Sequence, residues 1–391
     1  MIYPRKLTAK ITKEIDSKRI VVLTGLRQTG KTTLMRIVFN QIKSENKVFL
    51  DLENPLNQKI FEEINYDNII LNLKELKINP EKKSYVFLDE VQLMPEIISA
   101  IKYLYDHYDI KFFLTGSSSF YLKNLFSESL AGRKAIYELY PLDFEEFLTF
   151  KEKEKRFFVD FSEKAKHKNK ISFEVYRKLY DEYLMYGGFP GVVVEKENKR
   201  TILEDIFKSY FEKDVKALTD FKGIRALRDL ILLLANRVGS KVEITKIASE
   251  LGISRETVYS YMGFLEQTYF IFLVSPFSRS LDGEVRGARK IYFGDVGLLD
   301  YLGKVGEGAI FENAVFQNLK KYGKINYYAK FKGAEIDFIV NEKIGIEVKT
   351  HGDANDVKRL GKTAGNIKIK EYYVVTKNYL DSPEGILAID L

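Results

Sequence analysis

One octapeptide constrains this chain more than any other feature: Gly25-Leu26-Arg27-Gln28-Thr29-Gly30-Lys31-Thr32, which fits G-x-x-x-x-G-K-[ST]. It sits between a short apolar run, 20–24, and a stretch, 33–43, that reads as a helix. In that setting the glycines let backbone N–H groups curl around phosphate oxygens. Lys31 brings a point charge to the β- and γ-phosphates, and the Thr32 hydroxyl can ligate Mg2+. Every residue from Gly25 to Thr32, with Thr33 in the first turn of the helix, is therefore a candidate contact to ATP.

The next segments extend the same unit. Runs 47–52, 85–88, 111–115 and 135–139 read as buried strands separated by helical stretches, which implies a parallel sheet with helices on both faces. Tyr85-Val86-Phe87-Leu88 ends in Asp89-Glu90. A strand-end acid behind a phosphate loop can hold Mg2+, the role expected of Asp89, and Glu90 is placed to polarise an attacking water. The following strand ends in Thr115-Gly116-Ser117-Ser118, where a hydroxyl would face the γ-phosphate. Ser118 is the preferred sensor, with Thr115 and Ser117 close behind. Arg133, after Ala131-Gly132, is either a finger reaching the nucleotide of a neighbouring copy or a structural ion pair.

Beyond residue 150 the pattern changes. Residues 151–170 are charge-dense and read as an exposed insertion or linker; helical periodicity then runs from 172 to about 238, broken at Gly187-Gly188-Phe189-Pro190-Gly191. Residues 244–251, a turn at Gly252-Ile253, and 254–267 read as a helix-turn-helix with Ser254 as N-cap. Arg255, Thr257, Tyr259 and Ser260 open its second helix and could meet DNA. A strand pair from 269 would carry Arg279, Arg286, Arg289 and Lys290 at the tip of a basic wing. The alternative is a packing or protein-binding module. The expected division is 1–150, 151–238, 239–290 and 291–391.

Acids embedded in strands mark the last part. Asp337 lies in one run, 335–340, and Gly345-Ile346-Glu347-Val348-Lys349 in the next. Alternate strand residues share a face, so Glu347 and Lys349 point one way, and pairing of the two runs would bring Asp337 beside Glu347. Two carboxylates and a lysine on one face suit a site for Mg2+ or Mn2+ with an activated water. Glu312, on the helix before, is a possible third acid.

At this point the chain resembles the AAA+ superfamily ATPases that carry a DUF4143 C-terminal region. The resemblance rests on the phosphate loop, Phe87-Leu88-Asp89-Glu90-Val91-Gln92, Leu114-Thr115-Gly116-Ser117-Ser118 and Leu139-Tyr140-Pro141-Leu142-Asp143-Phe144. Tyr186-Gly187-Gly188-Phe189-Pro190 and Tyr292-Phe293-Gly294-Asp295-Val296-Gly297-Leu298 extend it over essentially the whole chain. The D…ExK arrangement is similar to the PD-(D/E)XK nucleases, in the style of archaeal Holliday-junction resolvases. The resemblance implies an α/β multidomain protein: an AAA+-type ATPase, a helical and winged helix-turn-helix middle, and a restriction-endonuclease-like α/β end.

Composition narrows the chemistry. The chain has no cysteine, which excludes disulfides, thiolate zinc and cysteine nucleophiles. His107, His167 and His351 form no motif, and an excess of 62 Lys+Arg over 55 Asp+Glu permits a polyanionic partner without requiring one. Residues 1–6 open no signal peptide, and the apolar run 230–235 is far below the ~20 residues of a membrane span. The expectation is a cytoplasmic, Mg2+-dependent ATPase that acts on DNA and carries a metal-dependent cleavage site. The alternative is a nucleotide-gated switch that binds DNA or protein without cutting.

Overall fold

The structure, a computed structural model, describes residues 3–116, 132–215, 221–278, 284, 287–330 and 333–391. Ser117, Ser118, Ala131, Arg279 and Arg286 lie outside the described residues. The chain divides into two compact units, Met1–Tyr140 with Gln267–Tyr269, and Pro141–Glu266 with Phe270–Leu391.

The first unit is built on five parallel strands: β1 (Ile20–Thr24), β2 (Lys47–Asp51), β3 (Ser84–Asp89), β4 (Ile110–Gly116) and β5 (Lys134–Glu138), in the order β2-β3-β4-β1-β5. β1, β3 and β4 are buried along their whole length, so both of their faces must be apolar. Alternation divides them between two cores. Ile20 and Val22 pack with Leu73, Ile97 and Ile101 on one face, while Val21 and Leu23 pack with Leu34, Met35 and Val38 on the other. β1 lies between β4 and β5, and its carboxyl end feeds the loop that starts at Gly25.

The second unit has a mixed sheet of β8 (Ile325–Ala329), β9 (Glu335–Val340), β10 (Ile344–Lys349), β11 (Glu371–Thr376) and β12 (Gly385–Leu387), ordered β12-β11-β10-β9-β8. β9 runs antiparallel to β8 and β10, and β10 and β11 are parallel. Helices fill the segment before it. Helix Ile244–Leu251 ends at Gly252, the Ser254 hydroxyl caps the next helix by accepting from Thr257 N at 3.1 Å, and helix Arg255–Gln267 follows. An antiparallel pair, β6 (Ile271–Val274) and β7 (Lys290–Phe293), comes next.

The central helix Glu307–Leu319 carries three buried amides, each with a backbone partner. Asn313 and Gln317 bond Phe293, and Asn318 accepts from Phe144 N at 2.9 Å. The charge-dense stretch 151–170 departs from an exposed insertion. It contains helix Phe161–Lys166, with Phe161, Lys164 and Ala165 buried and the Phe161 ring against Tyr322 and Tyr373. Phe161 and Ala165 face inward, while Val159 before them is 78% exposed, so the stretch is part buried and part solvated. Among the described residues no helix is long and apolar enough to cross a membrane.

Two glycine-rich phrases of the sequence turn out to be one structural joint. The buried Asp295 carboxylate accepts from Gly188 N at 2.8 Å and Leu298 N at 2.9 Å, capping helix Val296–Leu302 while holding the Gly187–Gly188 turn. A Cβ on Gly297 would lie 2.1 Å from the backbone carbon of Tyr186, and one on Gly187 would lie 2.1 Å from Asp295 Oδ1. Gly297→Ala should therefore destabilise the chain by about 3 kcal/mol, since the obstructing atoms are backbone. Gly365→Ala, in a helix with nothing within 4 Å, should be neutral or slightly stabilising. Denaturant melts of the two variants check the contrast; equal stabilities would refute it.

Candidate functional site

The loop leaving β1 is shaped by close approach. Leu139 N donates to Thr24 O at 2.8 Å, bringing that backbone so near that a Cβ on Gly25 would lie 2.1 Å from Leu139 O. Only glycine fits, and its φ of +149 suits no other residue. Gln28, with φ of 61, and Gly30, with φ of 92, complete the curl, and Gly30 is the N-cap of helix Lys31–Gln41. Thr29 is buried and ties the loop to itself through a 2.9 Å bond to Leu26 O. Leu26 and Lys31 are buried, Arg27, Gly30 and Thr32 are half-buried, and Gln28 and Thr33 are exposed.

Lys31 Nζ donates to Gly25 O and Leu26 O, each at 3.0 Å, so the ammonium lies inside the curl of the loop. Asp89, at the end of β3, is buried and takes a hydroxyl hydrogen bond from Thr115, and the Thr32 hydroxyl lies close enough to favour its charged form. Burial pushes its pKa up, the two hydroxyls oppose the shift, and the charges of Glu90 and Asp51 add to it. A carboxylate short of positive charge, beside a helix N-terminus and a threonine hydroxyl, offers the hard oxygen donors that Mg2+ prefers. Glu90 follows in the left-handed region, with φ of 59; its N–H donates to Thr115 Oγ1 at 3.2 Å and its carboxylate accepts from Gln92. Thr115 thus positions both acids, a stronger role than a second-choice sensor.

Arg133 lies at the other end of the sheet. Its carbonyl accepts from Ile20 N, where β1 begins, and its guanidinium pairs with Asp106 at 3.0 and 3.2 Å. It is therefore remote from the phosphate loop of its own chain, and a finger in trans would first have to break that pair. Sequence reasoning missed Arg5, which is buried and donates to Thr29 O at 2.8 Å and Tyr140 O at 2.7 Å, bracing the loop from behind. It also missed Glu138, paired in register with Thr24 and accepting from the hydroxyls of Tyr140 and Tyr269.

A model of the AAA domain matches residues 17–148, and two domains of unknown function, DUF8612 and DUF4143, match 177–308 and 307–390. The uncharacterized protein MJ1637 of Methanocaldococcus jannaschii is 30% identical over 385 residues, 88% of this chain and 78% of the relative. The chain belongs to this family of AAA-domain proteins. A second protein of that organism, MJ1544, is 26% identical over 97% of this chain and 87% of its own length. Among solved structures, the Aeropyrum pernix ORC2 protein in its ADP form has a TM-score of 0.38 at 12% identity, covering 70% of this chain and 87% of that one. The Aeropyrum pernix ORC1 protein in complex with DNA scores 0.34 at 12% identity, covering 80% and 93%.

The second unit of this AAA-family protein gathers a carboxylate cluster. β9 and β10 pair with Phe338 opposite Ile346, so one further step sets Asp337 beside Glu347. Asp337 Oδ2 accepts from Val348 N at 2.8 Å, and Lys349 Nζ lies 2.7 Å from Glu347 Oε1. Glu312, on helix Glu307–Leu319, accepts from Tyr292 Oη at 2.7 Å. Burial, then the Asp337 charge, pushes Glu312 and Glu347 each up to about 7. Burial also raises Asp337, against the pull of Lys290. Burial works against the charge of Lys349, yet Glu347 and Asp337 hold its pKa above the ordinary lysine value.

Among the described residues no three His, Asp or Glu side chains are grouped so as to hold a metal ion. The donor set that fits a hard cation is the adjacent pair Asp337 and Glu347, with Glu312 committed to Tyr292. Lys290 corrects the basic-wing expectation. It opens β7, is 4% exposed, and lies 2.6 Å from Glu335 Oε1. Its position beside Arg289 in sequence suggested a hairpin tip, but Arg289 alone of the two is exposed.

Proposed function

We propose that the protein is a Mg2+-dependent ATP hydrolase whose cycle controls DNA binding and metal-dependent DNA cleavage. One observation carries the first half: the buried Asp89 at the end of β3 takes a hydrogen bond from Thr115 at the end of β4, and the Thr32 hydroxyl in the first turn of the loop helix favours its charged form. In this reading Gly25 to Thr33 cradle the phosphates and Lys31 leaves its loop carbonyls for the β- and γ-phosphates. Thr32 and Asp89 hold Mg2+, and Glu90, oriented by Thr115, polarises water.

For the output, the helix pair 244–251 and 255–267 with β6 and β7 serves as a winged helix-turn-helix. Exposed Arg255, Tyr259 and Ser260, with half-buried Thr257, open its second helix and support a DNA-facing role. Asp337 and Glu347 would hold Mg2+ or Mn2+, with Lys349 orienting water, as the acid-lysine set of the PD-(D/E)XK nucleases does. The competing reading, a non-cleaving switch, is favoured by the engagement of Glu312 with Tyr292 and Lys290.

Glu90→Gln provides the test. It keeps the shape and the Gln92 contact but removes the charge, so hydrolysis should fall about a hundredfold or more while ATP still binds. Duplex or branched DNA should stimulate the wild-type rate. Unchanged hydrolysis in Glu90→Gln would refute the role of Glu90, and a rate indifferent to every DNA form would leave a protein-directed ATPase.

A further inference from the structure

A lysine is rarely buried without anionic partners to hold its charge. Lys290 is 4% exposed, and its Nζ lies 2.6 Å from Glu335 Oε1 and 3.9 Å from Glu312 Oε1. Two residues along the same strand face, Tyr292 donates to that same Glu312 oxygen at 2.7 Å. On β9, Glu335 and Asp337 likewise share a face, and Asp337 is within electrostatic reach of Lys290. One face of β7 therefore lies on the acid cluster, and the phenol and ammonium compete for the oxygen that a third metal ligand would offer.

We propose that Lys290 is the resident counter-cation of the carboxylate site, and that it competes with the divalent metal for the acids. The proposal rests on the reading of Asp337 and Glu347 as metal ligands. With its charge 2.6 Å from Glu335 and 3.9 Å from Glu312, and within electrostatic reach of Asp337, Lys290 lowers the affinity for any second cation. A metal that binds there loosens its hold on Glu312 and Glu335, which makes β7 the strand that senses occupancy.

The test measures Mn2+ binding to the nucleotide-free full chain by titration calorimetry, in wild type, Lys290→Gln, Lys290→Arg and Asp337→Asn. Glutamine keeps an N–H donor on the side of Glu335, so the fold has a substitute contact. Lys290→Gln should bind Mn2+ about tenfold more tightly or better. Lys290→Arg should match wild type, and Asp337→Asn should remove the binding component. Mn2+ affinity unchanged or weakened in Lys290→Gln overturns the inference, while loss of binding in Asp337→Asn preserves the site. Binding indifferent to Asp337→Asn defeats the site reading itself. A second measurement needs no variant: reductive methylation of Lys290, followed by peptide mass spectrometry, should rise when Mn2+ is added to wild type. Equal protection with and without Mn2+ overturns the proposal.

Discussion

Lys31→Ala should reduce ATP hydrolysis at least about a hundredfold and weaken nucleotide binding. The loop places a single ammonium where the β- and γ-phosphates would lie, and fixed charge at that point acts on the transition state in a site partly closed to water. No other cation of the loop substitutes for it: Arg27, four residues before Lys31 opens the helix, is only half-buried. The substitution leaves Gly25 O and Leu26 O without their 3.0 Å donor. That costs about 1–3 kcal/mol, so a melting curve must accompany the assay. Lys31→Arg should restore charge but not rate, because the fork is too broad for a position 5% exposed. Hydrolysis that persists undiminished in Lys31→Ala would mean that the nucleotide site lies elsewhere.

How much of this was legible in the sequence depends on the distance over which each feature is encoded. The strand, loop and helix around Gly25 to Thr32 are contiguous, and so are the cap at Ser254 and the acid-bearing strands β9 and β10; local pattern suffices for them. The parallel sheet followed from alternation of apolar runs and helices. What local pattern could not supply was a partner far along the chain. Arg5 braces a carbonyl at Thr29 and another at Tyr140, and nothing in residues 1–10 distinguishes it from a surface arginine. Tyr269 joins Glu138 in the first unit although the residues on either side of the segment Gln267–Tyr269, Glu266 and Phe270, belong to the second. Lys290 is the clearest case. Beside Arg289 it looked like a wing charge, yet a strand start pointing at Glu335 and Glu312 requires the opposite environment. Asp295 makes the same point, since the phrase around it entered only as part of a resemblance, and its role lies in the joint it makes with Gly187 and Gly188.

Asp337→Asn should abolish Mg2+- or Mn2+-dependent DNA cleavage, by about a hundredfold or more, and leave ATP hydrolysis at the wild-type rate. A carboxylate that holds the metal supplies several kcal/mol of charge stabilisation, and each 1.4 kcal/mol is worth about tenfold. Asparagine keeps an oxygen for the Val348 N–H, so loss of activity would report charge rather than collapse of β9 against β10. Stability provides a second readout. Burial and the Asp337 charge hold Glu312 and Glu347 at about 7, above their ordinary 4.5. The folded chain therefore keeps protons that the unfolded chain releases between those values. The stability they contribute falls as pH rises through that window, and the penalty is complete above it. Removing the Asp337 charge lowers both glutamates, so Asp337→Asn should lose less stability than wild type between about pH 5 and about pH 8. Cleavage lost together with ATP hydrolysis would point to a global defect. Cleavage retained in Asp337→Asn, or absent from wild type on single-stranded, duplex and branched DNA with either metal, would leave the non-cleaving switch, in which the cluster serves β7 rather than a phosphodiester.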